Sequence, residues 1–162
     1  MTAHRMLLVI TLLIAASSLA ACSPGDKSAS TPNTTKSSAF ACNNAQWQSD
    51  QQGFASGQIT GDQFVNVCGT VTAVLAEKDT RSGHHGYFDL HVAPGQTIEI
   101  VSDLDQMNAP AWPWVKVGDD AYVQGRYYYD SASSQGIDWT HHGTSNAWPH
   151  AGYVVINGTQ YQ

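Results

Sequence analysis

Residues 6–16 form an almost unbroken apolar run: Met6, Leu7, Leu8, Val9, Ile10, then Leu12, Leu13 and Ile14, after a short segment ending at Arg5. Its length suits the apolar region of a signal peptide and falls short of the roughly 20 apolar residues that span a bilayer. Polar residues dominate 23–39, with almost nothing there to bury. From residue 40 the pattern changes again. Residues 41–54 are poor in β-branched side chains, and Trp47, Gln51 and Phe54 recur at helical spacing, which predicts a short helix ended by Gly53 and Gly57. Residues 63–76 (Phe64, Val65, Val67, Val71, Val74, Leu75) predict a long strand, with Gly69 marking a bulge or bend. A charged turn over 77–83 precedes strands over 87–92 and 97–101, joined at Pro94-Gly95. An irregular stretch follows, and then a strand over 121–129 entered through Gly118-Asp119. After a polar loop comes a short strand over 137–140, and the Asn157-Gly158 hairpin joins 153–156 to 159–161. One long bent strand, a hairpin, an irregular connection and further strands predict a mainly β fold. The expected form is a small OB-like Greek-key barrel of five to six strands with a short N-terminal helix; a small β-sandwich is the alternative.

The targeting pattern sharpens this picture. Leu19-Ala20-Ala21-Cys22 has the form of a lipobox: small residues admit the peptidase, and the cysteine thiol takes the lipid. The expected organisation is a signal peptide over 1–21, a lipid-anchored flexible linker over 22–39, and one domain over 40–162. The alternative is an ordinary signal peptide with a chance cysteine. Lipid on Cys22 would make the membrane a partner and place the domain in the cell envelope. Ser23 rather than Asp after the cysteine points to the periplasmic face of the outer membrane if the host is Gram-negative. Cys42 and Cys68 remain as an even pair in an oxidising compartment and predict a disulfide, with a metal or redox pair as the alternative.

Charge narrows the partners. The whole chain carries a formal −6; from residue 40 on, four bases stand against twelve acids, a formal −8. Such a domain lacks the basic footprint that holds a phosphate backbone, so nucleic acid is not an expected partner. Low charge with many aromatics fits a cell-wall glycan, another envelope protein or a small polar ligand.

Candidate chemistry centres on histidine. His84-His85 lies before the second strand, and His141-His142 with His150 lies in a loop rich in glycine, serine and asparagine. Imidazole is the commonest metal ligand and an effective base near neutral pH. His84, His141, His142, His150 and Asp138 are therefore the candidate metal donors, for zinc or another divalent ion, with Asp89 a further carboxylate. Neighbouring strand residues face opposite ways, so His141 and His142 could share an ion only if the chain turned there. The competing reading is a loop held in shape by histidine hydrogen bonds. Trp112 and Trp148 each stand beside a proline, and with Tyr127 they are the candidate ligand-stacking residues. There is no G-x-S-x-G and no glycine-rich phosphate loop.

Several runs resemble one family. They are Val115-Lys116-Val117-Gly118-Asp119, Trp139-Thr140-His141-His142, His150 with Gly152-Tyr153, and Asn157-Gly158-Thr159-Gln160-Tyr161-Gln162. Over about residues 62–162 the chain is similar to the DUF3465 family of small secreted bacterial proteins, whose function is unknown. The resemblance implies an OB-like barrel and export, and no activity. It also implies departures: Gly83 and Gly86 stand where relatives carry bases beside the histidine matching His84, Asp138 where they carry histidine, and Gly143 where they carry aspartate. The function expected from the sequence is a non-enzymatic ligand-binding or protein-interaction module. The alternative is a metal-dependent hydrolase of the phosphodiesterase or nuclease kind, or a metal-binding protein.

Overall fold

The structure is a computed structural model that describes residues 40–162. The expected signal peptide, the lipid site Cys22 and the linker over 22–39 lie outside the described residues. The elements are α1 (Asn44–Ala55), β1 (Gln63–Thr80), β2 (Gly83–Ala93), β3 (Gln96–Asp103), β4 (Asp120–Ser131), β5 (Ser134–Asp138), β6 (Tyr153–Ile156) and β7 (Thr159–Tyr161). No helix among the described residues is long and apolar enough to cross a membrane.

α1 begins where Asn43 accepts the Gln46 N–H (3.1 Å) and satisfies one of the free donors of the first turn. Trp47, Asp50 and Gly53 form its buried stripe. Asn44 fastens the helix to the sheet: its amide donates to the carbonyls of Cys68 (2.8 Å) and Val92 (2.7 Å) and accepts the Cys68 N–H (2.8 Å). The Cys42–Cys68 disulfide closes the same junction covalently.

β1 is long enough to serve two neighbours. Gln63 to Thr70 pairs antiparallel with β4, and Thr70 to Thr80 pairs with β2. The change of partner falls at Gly69, where any Cβ would collide with the His91 carbonyl. That is the close backbone approach a glycine within a strand signals.

The sheet has seven strands in the order β1-β2-β3-β5-β4-β6-β7, with the additional β1–β4 pairing. This corrects the expected OB-like barrel of five to six strands. The strands form a mixed sheet curled into a partial ring, not a barrel. The pairings show why. The parallel β3–β5 seam holds only two register pairs, Glu99↔Gly136 and Ile100↔Ile137. One edge of β4 is divided between β5 and β6, so the β6–β7 hairpin carries the sheet beyond the ring. That hairpin turns at Asn157 (φ 48°) and Gly158 (φ 88°), the pair of positive φ values an Asn-Gly turn supplies.

Alternation sorts the side chains. Val65, Val67, Phe88, Leu90, Ile98, Ile100, Val123 and Tyr127 point to one side of the sheet and, with Trp47 and Ile137, build the core. Tyr127 is fully buried, packed by Trp47 and Phe54 and donating its hydroxyl to Gln135 (2.7 Å). Its expected role as a ligand contact is therefore corrected: it is a core residue. Trp148, expected in the open, is also buried, because hydrogen bonds between Ser145 and Trp148 fold its loop into a tight turn.

The disulfide joins residues 26 apart. Loop entropy then predicts that Cys42→Ala/Cys68→Ala lowers unfolding stability by about 3 kcal/mol. Urea denaturation measures this, and an unchanged midpoint would contradict it.

Candidate functional site

The face of the sheet opposite the core carries a cleft of about 510 Å³. The same alternation builds it. With Phe88, Ile100 and Tyr127 turned inward, their strand neighbours turn out: His85 and Tyr87 from β2, Val101 and Asp103 from β3, Arg126 and Tyr128 from β4, Asp138 from β5. Trp139 and His141, just past β5, complete the wall with Thr80, Ser82 and Gln106.

One ion pair organises the floor. Arg126 grips Asp138 with two hydrogen bonds, Nε to Oδ1 (2.7 Å) and Nη2 to Oδ2 (2.6 Å), and reaches Asp62 with Nη1 (3.3 Å). The fork geometry is the strong form of this contact. Asp138, then burial in opposition, sets the Arg126 pKa, with the net direction upward. Asp103 is equally occupied: it accepts the backbone N–H groups of Asp105 (3.1 Å) and Gln106 (3.2 Å) and the Gln106 side-chain amide (2.6 Å).

Trp139 is held under strain. Its φ is +51°, a left-handed value that a bulky residue rarely adopts. Three contacts hold it there: its indole N–H donates to the Gly143 carbonyl (2.6 Å), its ring stacks on His141 (5.3 Å between centroids), and the Arg126 guanidinium lies over it (5.5 Å). Strain of this kind gathers at sites rather than in passive surface.

The two cleft histidines have fixed and opposite hydrogen-bond directions. His85 Nδ1 faces the Gly83 carbonyl (2.8 Å), which can only accept, so Nδ1 carries the proton and Nε2 is left as an acceptor. His141 Nδ1 accepts the Gly143 N–H (3.2 Å), so its proton sits on Nε2, which is a donor. Both rings are buried, at 8% and 4% exposure. Burial lowers the His141 pKa below the ordinary imidazole value, with the upward pull of Asp103 secondary. Burial pushes the Tyr128 hydroxyl up to about 12, so it stays protonated at neutral pH.

The expected metal donors do not converge. His141 and Asp138 line the cleft, but Asp138 is bound to Arg126. His84 turns away from it and sits between Asp79 (2.8 Å) and Glu77 (3.2 Å), which raise its pKa in that order against burial. His142 is exposed. His150 stacks on Phe64 (4.7 Å) beside Trp148 (5.1 Å). Among the described residues no group of three His, Cys, Asp or Glu is placed to hold a metal ion. Asp89 lies opposite Glu99 in the β2–β3 register. Trp112 lies outside the cleft lining; half-buried, it donates to the Leu75 carbonyl (3.1 Å) and packs where a side chain on Gly86 would stand, about 2.5 Å from its ring. A base at Gly86 would thus displace Trp112.

Residues 34–162 match the family model described as "Protein of unknown function (DUF3465)". The chain belongs to the DUF3465 family. The match extends the resemblance seen over 62–162 to include α1 and the disulfide. Neither a search of curated proteins nor one of solved structures found a match. Sequence reasoning missed His85, Tyr87, Asp103, Arg126 and Tyr128 as members of the DUF3465 cleft. The available signal was the period-two alternation of β2 and β4, read for what points away from the core.

His141 generates a pH prediction. Its folded pKa lies below its unfolded value near 6.5. Between the two, the unfolded chain binds the extra proton, so stability falls as pH drops through that window. Asn in place of His141 keeps an acceptor for Gly143 and removes this titration. Thermal melts should therefore show a smaller fall from pH 7 to pH 5 for His141→Asn than for the parent; parallel profiles would contradict this.

Proposed function

We propose that this DUF3465 domain is a ligand-binding module that takes a small, uncharged, polar ligand in the outer cleft. The carrying observation is that the charged groups of the cleft are already hydrogen-bonded: Arg126 is committed to Asp138, and Asp103 accepts from three N–H donors. What remains free to meet a ligand is a set of aromatic walls and two imidazoles of opposite direction. The cleft volume is within the range of small-molecule sites, which combine apolar walls with a few directed polar groups. An anionic ligand would have to displace Asp138 from Arg126, and breaking such a pair is costly.

The same observations weigh against the metal-dependent hydrolase, whose proposed donors are scattered or already engaged. In this reading lipid on Cys22 holds the domain at the envelope, within reach of cell-wall glycan and other envelope components.

NMR titration of the protein with a fragment library containing neutral, anionic and cationic compounds tests the proposal. Neutral fragments should shift amides around His85, Trp139 and His141, and Trp139→Ala should weaken them about tenfold or more, the equivalent of losing one well-made contact. Fragments that gather elsewhere, or a cleft that answers only charged fragments, would contradict it.

A further inference from the structure

We infer that the neutral ligand is a saccharide, recognised through its hydroxyl groups by His85 and His141. This rests on the cleft reading above and names its ligand class.

The first argument is polarity. His85 offers an acceptor at Nε2 and His141 a donor at Nε2, and each ring is fixed by backbone at its other nitrogen. Among the described residues neither Nε2 atom has a hydrogen-bond partner, and both remain accessible at the cleft. A ligand that satisfies both must give one hydrogen bond and take another. Hydroxyls do either by rotation, and neighbouring ring hydroxyls do both at once. The Tyr128 hydroxyl adds a group of the same dual kind to the wall.

The second argument separates saccharide from peptide, whose amide also gives and takes. Peptides in extended form are bound by adding to an open strand edge. The strand that carries His85 and Tyr87 has none to offer: β2 pairs with β1 along one edge and with β3 along the other. Recognition by His85 and Tyr87 therefore comes from their side chains.

The third is the lining. Tyr87, Tyr128, Trp139 and Val101 give apolar surface between the polar groups. A pyranose ring has that same alternation, with C–H faces and hydroxyl edges, and bears no charge to disturb the Arg126–Asp138 pair.

The test is calorimetric titration of the full-length protein with cellotriose, maltotriose and tri-N-acetylchitotriose, with trialanine as the peptide comparison. At least one trisaccharide should bind at millimolar concentration and trialanine should not. His85→Leu removes the acceptor and should weaken binding about tenfold, close to the worth of one hydrogen bond. His85→Gln restores an acceptor and should recover most of it, which a purely structural role would not require. No trisaccharide binding, equal binding of trialanine, or affinity indifferent to both His85 variants would overturn the saccharide assignment. If neutral fragments still occupy the cleft in the NMR titration, only that assignment fails; if none do, the cleft reading fails with it.

Discussion

β1 pairs first with β4 and then with β2, and it can do so because the backbone at Gly69 passes against the His91 carbonyl with no side chain between. That bend is the constraint on which the other features depend. It brings β2 and β3 round toward β4 and β5, so that the short parallel seam at Glu99 and Ile100 can form. The register of β2 against β1 decides which histidine of the 84–85 pair faces the cleft. A one-residue slip would exchange them. The Asn44 hydrogen bonds and the Cys42–Cys68 disulfide meet next to this bend, so α1 and the bridge reinforce one junction.

Given that frame, the cleft follows from alternation and charge pairing. The core claims every second residue of β2, β3 and β4, and the remainder form an outward face of uncommon composition. Its arginine and aspartates are bound to each other or to backbone. Its histidines are buried without acid partners in hydrogen-bond contact, unlike His84, whose nitrogens both face carboxylates in the open. The twist at Trp139 places the indole between the ion pair and His141 and links the charged floor to the imidazole wall. The proposed neutral ligand rests on this arrangement.

Local features were legible in the sequence. The helix over 41–54, the bend at Gly69, the Asn157-Gly158 turn and the cysteine pair depend on a few adjacent residues or on elimination, and each appears at or within a few residues of its expected place. Closure was not legible. Whether strands meet as a barrel depends on the length of the β3–β5 seam and on how β4 divides its edge, and neither has a local signature. The site was half legible for a similar reason. Chain proximity grouped His141, His142 and His150, but the fold buries the first, exposes the second and stacks the third on Phe64. Asp138 looked like a free carboxylate until Arg126, twelve residues earlier, proved to be its neighbour across the β4–β5 hairpin.

The central claim is that the cleft presents two imidazoles of opposite hydrogen-bond direction. Long-range nitrogen–proton NMR correlation of the histidine rings near neutral pH reads this directly. The account predicts a proton on Nδ1 of His85 and on Nε2 of His141. The same tautomer in both rings, or two protons on His141, would contradict it.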